Sequence, residues 1–163
     1  MKNLILTITV IALSGFMATT VLAQSPHYIK GPTVSFDTST GDYSVSFKEA
    51  GLGSGPVTYT LTAGLGSEFT YQCFTKSDNA PHGAPNSVDA NGVTTSTTVT
   101  PHNGNVSATI TMSPDASAPL SICNGKGLVL RLIGTDYDNV TLSDGITAAV
   151  PLAAECSGTG CPD

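Results

Sequence analysis

Across residues 42–73, apolar and polar side chains change places at almost every position. Tyr43, Val45 and Phe47 alternate with Ser44, Ser46 and Lys48, and Val57, Tyr59, Leu61 and Ala63 alternate with Thr58, Thr60 and Thr62. A period of two puts each set on one side of an extended chain, so both segments read as strands with one dry and one wet face. Phe69, Tyr71 and Cys73 form the dry side of a third strand, opposite Thr70, Gln72 and Phe74, which carries a cysteine toward the core. The GLGSG run between the first two strands is too flexible for a strand. It fits neither the P-loop nor the dinucleotide-binding pattern and is read as a connection.

The pattern extends in both directions. Residues 33–37 read as a short strand, and the donor-less Pro26 and Pro32 place it at a sheet rim. Residues 38–42, with Gly41, form the turn into the next strand. Residues 77–91 have no periodicity and read as an exposed loop, either a contact surface or a crossing between sheets; His82, Asn86 and Asp89 are its binding candidates. Residues 93–100 alternate weakly, and Asn103-Gly104 then predicts a hairpin into residues 106–112. The most apolar stretch, residues 127–134, predicts a central strand covered on both faces. Arg131, its one charge, is expected to pair with Glu49, Glu68 or Asp136. Short strands at 140–142 and 146–150 complete the sheet, and the chain from Pro151 onward reads as a tail. No helix or internal repeat is predicted after residue 23.

The first 23 of the 163 residues carry Lys2, an apolar run at 4–13 and the small-residue site Val21-Leu22-Ala23. They read as a secretory signal peptide rather than a membrane anchor, because hydroxyl and glycine residues dilute the run and no basic cluster follows. Nor does a cysteine follow Ala23 to take a bacterial lipid anchor. Cleavage would leave 140 residues, enough for one domain with its own core. The domain is placed at 24–151, with a tail at 152–163.

The chain holds 6 basic and 12 acidic residues, a formal charge of −6. Loss of Lys2 would make it −7. Such a domain has no electrostatic footprint for nucleic acid or an anionic membrane, and no membrane insertion is expected after cleavage. Only 11% of residues are charged, so hydroxyls must cover the wet faces. Tryptophan is absent, which weakens the case for a carbohydrate-binding module.

Four cysteines, Cys73, Cys123, Cys156 and Cys161, imply two disulfides in an oxidising compartment. Of three possible connectivities, Cys73–Cys123 with Cys156–Cys161 is favoured, since the first bridge joins strands distant in sequence. No Cys-x-x-Cys spacing supports zinc.

Candidate chemistry is sparse. There is no G-x-S-x-G nucleophile turn, and His27, His82 and His102 sit beside prolines in loop-like stretches. The best ligand set is for calcium: Asp136, Asp138, Asn139 and Asp144 offer oxygen donors in a glycine-containing acidic stretch, the alternative being ordinary Asx turns. No other cofactor is expected. Asn105-Val106-Ser107 and Asn139-Val140-Thr141 match the glycosylation acceptor.

The stretches PHYIKGPT, FKEAGLG, TYQC, NGNVSATITMSP and DYDNVTLSDG resemble a group of small secreted β-rich proteins of unknown activity from bacteria and fungi, with FKEAGLG and TYQC the most specific part. The resemblance implies a β-domain and export, and no active site. In that group a further cysteine pair falls near Val45 and Leu61, which here predicts an apolar contact; Cys-Pro is replaced by Cys123-Asn124. Tyr71-x-Cys73 is also similar to the tyrosine corner of immunoglobulin domains, but without the core tryptophan.

These readings converge on an all-β, disulfide-stapled, immunoglobulin-like antiparallel sandwich of roughly seven to nine strands. Its expected role is a secreted, non-catalytic binding or surface-associated module for an extracellular protein or cell-surface ligand. The alternatives are a structural subunit that self-assembles by strand addition near Gly31 and a small secreted hydrolase.

Overall fold

A computed structural model describes residues 25–114, 121–158 and 161; the segment read as a signal peptide lies outside them. Eleven strands follow in chain order: β1 (His27–Asp37), β2 (Asp42–Ala50), β3 (Val57–Thr62), β4 (Glu68–Thr75), β5 (Pro81–Asp89), β6 (Thr94–Val99), β7 (Asn105–Met112), β8 (Leu128–Tyr137), β9 (Thr141–Ser143), β10 (Val150–Pro151) and β11 (Glu155–Gly158). They form three antiparallel sheets, ordered β1-β2-β7, β10-β9-β3-β6 and β11-β8-β4-β5. Among the described residues no helix is long and apolar enough to cross a membrane. Both favoured disulfides are present, Cys73–Cys123 and Cys156–Cys161.

The period-two alternation becomes burial directly. Tyr43, Val45 and Phe47 of β2 and Val57, Tyr59 and Leu61 of β3 enter one core with Phe69, Ile110, Met112, Tyr137 and Leu142. Val45 and Leu61 are both fully buried. On the wet side, serine and threonine pair across strands: Ser44 with Thr111 at 2.7 Å, Ser46 with Thr109 at 2.8 Å, Thr58 with Thr98 at 2.9 Å and Thr60 with Ser96 at 3.0 Å. Such pairs each contribute a few tenths of a kcal/mol and cover the sheets without charge.

Buried tyrosines tie the sheets together, because a ring inside the core must still place its hydroxyl against an acceptor. The Tyr137 hydroxyl of β8 donates to Gly41 O at 2.9 Å and Met112 O at 3.3 Å, joining the third sheet to the first. Tyr59 of β3 donates to Glu49 of β2 at 2.7 Å, Tyr43 to Ala153 O at 2.5 Å, and Tyr71 to Pro114 O at 2.7 Å. The Tyr71 acceptor lies 43 residues downstream, which is not the local bond of a tyrosine corner.

Several expectations are corrected. Asn103 (φ 51°) and Gly104 (φ 73°) form the expected tight turn, and His102 and Asn105 exchange backbone hydrogen bonds of 2.8 and 3.0 Å across it. The strands then part: β6 pairs with β3 and β7 with β2, so the turn links two sheets instead of closing a hairpin. The expected loop at 77–91 contains β5, an edge strand exposed at every residue but the half-buried Val88. A strand wet on both faces has no hydrophobic alternation to read. The expected tail contributes β11, which pairs with β8 from Tyr137 to Gly134. Within the expected strand at 146–150 only Val150 is in strand pairing, while Ile146 is 57% exposed in a turn. The described strands thus outnumber the seven to nine expected.

β8 lies inside its sheet but is half-buried through Leu132 and Ile133, because the aromatic hub of the core sits at its far end around Tyr137. Among the described residues Arg131 meets no carboxylate; its guanidinium rests over the Phe74 ring at 5.2 Å, a cation–π contact with the neighbouring strand.

The β1–β2 turn closes with Gly41 N donating to Asp37 O at 2.7 Å. Gly41 has φ +75°, and a Cβ there would lie 2.6 Å from Thr135 Cγ2 and 2.9 Å from Leu132 Cδ2. Gly41→Ala is therefore expected to cost about 2 kcal/mol from left-handed backbone strain and overpacking together. Gly53→Ala, with open space around its Cβ, should change urea unfolding by under about 0.5 kcal/mol.

Candidate functional site: a surface groove and a buried carboxyl pair

The groove is built by a register shift. Tyr71 pairs with Asn86 and Cys73 with His82, so three residues of β5 bulge opposite Gln72. The bulge is held by side-chain amides: Gln72 Nε2 donates to Gly83 O at 2.8 Å, and Asn86 Nδ2 to Ala84 O at 3.1 Å. Gly83 supplies the left-handed φ of 80° that the bend needs. Beside it lies a groove of about 590 Å³, lined by His82 and Asn86 of β5, by Ile122, Asn124 and Leu128, and by Cys73. Two of the three loop candidates therefore share one surface. Asp89 does not; its Oδ1 accepts from Asn91 N at 2.8 Å and caps the turn at the other end of β5.

Of the calcium candidates, Asp136 and Asp138 lie near enough to interact, and burial, Asp138 and Glu68 together raise the Asp136 carboxyl above its ordinary value; Asp144 stands apart from them. Asp136 is in β8, paired with Glu68 and Cys156. Asp138 accepts from Asn139 N at 2.8 Å, and Asn139 Nδ2 donates to Leu65 O at 2.8 Å, before β9 begins. Asp144 lies past the other end of β9, where its Oδ1 accepts from Ile146 N at 2.9 Å and Thr147 N at 2.7 Å. The Asp144 bonds are Asx-type turn bonds. Among the described residues no three His, Cys, Asp or Glu side chains group so as to hold a metal. The three histidines fall on β1, on β5 and in the β6–β7 turn.

What the structure brings together instead is Glu49 and Asp144, fully buried and 4% exposed respectively. Tyr59 donates to Glu49 Oε2 at 2.7 Å, while Glu49 Oε1 and the Tyr28 hydroxyl are buried with no conventional hydrogen-bond partner. Burial pushes the Glu49 carboxyl above the usual carboxylate range; the Tyr59 bond opposes this and the Asp144 carboxyl adds to it. Burial also pushes Asp144 upward, but hydrogen bonds from the Thr147 and Ile146 backbone, from Glu49 and from the Thr147 hydroxyl outweigh it and leave Asp144 below its ordinary value. Tyr28 is raised to about 12 by burial and by the two carboxyls. The sequence carried one signal for this cluster: Glu49 has the same parity as Tyr43, Val45 and Phe47, hence the dry face of β2. Nothing local to residue 144 shows that it folds against residue 49.

A scan of protein-family models finds no match to this chain, and a search of curated proteins finds none either.

Proposed function

We propose that the chain is an exported, non-catalytic binding module with an immunoglobulin-like sandwich arrangement, and that it contacts an extracellular protein or cell-surface ligand through the groove beside the Cys73–Cys123 bridge. The observation that carries this reading is the convergence of His82, Asn86 and Asn124 on one open groove that disulfide-bonded Cys73 also lines. Polar groups held on a rigid scaffold are what a specific contact requires. Among the described residues the lining offers imidazole and amide groups but no carboxylate pair, and the Glu49–Asp144 pair is buried elsewhere, which favours binding over glycoside hydrolysis. Secretion and kinship with the small secreted β-rich group belong to the same reading, supported by two disulfides in a chain without free cysteines among its described residues.

β5 is guarded against strand addition by Pro81, Pro85 and its bulge, so its side chains and not its backbone are offered to a partner. β6 is the observation behind a second reading. TTSTTV is an edge strand without proline or charge, and such an edge suits self-assembly through strand pairing. The test is binding of the chain without residues 1–23 to wall material and secreted proteins of its own source, alongside His82→Ala/Asn86→Ala and Thr97→Pro. Loss of binding in the first variant, with Thr97→Pro unaffected, is the expected result. Concentration-dependent oligomers abolished by Thr97→Pro would favour assembly, and binding untouched by the groove variant would defeat the proposal.

A further inference from the structure

Glu49 lies on β2 and Asp144 in the turn after β9, and the interaction between their carboxyls links the first sheet to the second where β2 ends. Among the described residues Glu49 Oε1 is buried with no donor to accept from, and the neighbouring group is a second carboxyl, that of Asp144. Two ionised carboxylates in that position would repel at close range in a medium far less polar than water. A single proton removes both difficulties: Oε1 becomes a donor, Asp144 accepts, and Oε2 continues to accept from Tyr59. We infer that Glu49 and Asp144 share one proton as a carboxylic acid–carboxylate pair, and that this proton acts as a pH-operated latch between β2 and the turn at 144–147.

Release breaks the Glu49 O–H bond, sends the proton to solvent and leaves its electron pair as a second negative charge inside the joint. The groups facing the pair are His27 and Tyr28 from β1, Tyr59 from β3 and the Thr147 hydroxyl from the turn itself. Lys48 is exposed on the opposite side of β2, and Lys30, its cross-strand neighbour on β1, is exposed as well. From β7 the paired residues are Val106 and Asn105, which do not titrate. His27, when protonated, favours ionised Glu49.

The direction of the pH dependence follows. The folded Glu49 holds its proton more tightly than the unfolded one, so its contribution is complete at low pH and is lost as pH rises from about 4.3 through its folded value. The folded Asp144 holds its proton less tightly, so its contribution is complete above about 3.9 and is lost as pH falls below that. The latch is firmest where the pair carries one proton and loosens toward alkaline pH.

The experiment is amide hydrogen exchange on the disulfide-intact chain across pH, corrected for intrinsic exchange rates. It reads Ile146 and Thr147, whose N–H groups donate to Asp144. Their protection is expected to fall by up to about tenfold per pH unit between about 4.3 and the Glu49 midpoint of the folded chain, the slope for one linked proton, and to level off above that midpoint. Glu49→Gln places a permanent donor in the acid's position and should flatten that dependence, and His27→Gln should retain it. Equal slopes in Glu49→Gln and the wild type would overturn the proposal. If Glu49→Gln does not fold, carboxyl-carbon titration of the wild type decides: Glu49 above and Asp144 below the ordinary range supports the shared proton, and two ordinary midpoints overturn it. Calcium chloride that restores protection at alkaline pH in the wild type, but not in Glu49→Gln, would show that the joint takes a cation, and would equally overturn it.

Discussion

Replacing both Cys73 and Cys123 by serine is expected to lower Tm by about 12 °C, whereas the same change at Cys156 and Cys161 should lower it by only a few degrees. The bridges differ in what they close. Cys73 and Cys123 are 50 residues apart, and in the chain-entropy model a loop of that length restricts the unfolded chain by roughly 4 kcal/mol at 25 °C. For a domain of about this size each kcal/mol corresponds to roughly 3 °C. Cys156, within the short edge strand β11, and Cys161, past its end, are 5 residues apart, so their loss should cost only about 2 kcal/mol. The first bridge also has a native-state role. Cys73 is buried on β4, and the segment it anchors leads into β8 and forms one wall of the groove. Thermal unfolding of the two double variants, followed by dichroism, checks the ranking; equal losses would show that loop length does not govern it. If the groove is the contact surface, the Cys73/Cys123 variant should lose binding at temperatures where it remains folded.

The parts of this fold legible in the sequence are those where one face is dry and the other wet. β2, β3, β4 and β7 announce themselves because Tyr43, Val45, Phe47, Tyr59, Leu61, Phe69, Ile110 and Met112 must all find the core, and a slip of one residue would reverse every one of them. β5 and β11 lack that constraint. They are edge strands held by backbone hydrogen bonds to a neighbour, and backbone pairing leaves no trace in side-chain pattern. The β6–β7 turn shows a different limit. Asn103-Gly104 specifies the local backbone but not whether the strands it joins continue together, which depends on β2 and β3 competing as partners.

The site follows the same division. His82 and Asn86 were marked by lying in a polar, proline-bearing stretch, but their shared groove is made by residues 122–128, and only the Cys73–Cys123 bridge linked the two regions in advance. Glu49 was legible in parity and illegible in partner. Within the calcium set Asp144 stands apart from Asp138 for a geometric reason: β9 lies between them, and the two residues flank its opposite ends. Spacing in sequence approximates spacing in space only while the chain turns, and here it extends.

Tyr137→Ala is expected to be the most damaging single core substitution, at about 4 kcal/mol. Tyr137 is fully buried, and its ring meets three others: Tyr43 at 5.1 Å, Phe69 at 5.3 Å and Phe36 at 6.0 Å between centroids. Those rings come from β1, β2 and β4, so truncation would open a cavity where the first and third sheets meet. Aromatic-to-alanine changes in such cores cost about 3–5 kcal/mol. The hydroxyl is a separate contribution, since it donates to Gly41 O and Met112 O, and burial holds its proton in place by raising its pKa. Tyr137→Phe keeps every ring contact and removes only that donor, leaving two carbonyls short of a partner, at a cost of about 1–2 kcal/mol. Urea unfolding of the two variants separates the terms. A Tyr137→Phe loss as large as that of Tyr137→Ala would mean that the tie to the Gly41 turn, and not the stacking of rings, holds the sheets together. The position of Gly41 then decides the matter, because Gly41→Ala perturbs the same carbonyl from the other side. If the hydroxyl bond were dominant, Tyr137→Phe and Gly41→Ala combined would cost clearly less than the sum of the two; if the rings dominate, the two losses should add to within about 0.5 kcal/mol.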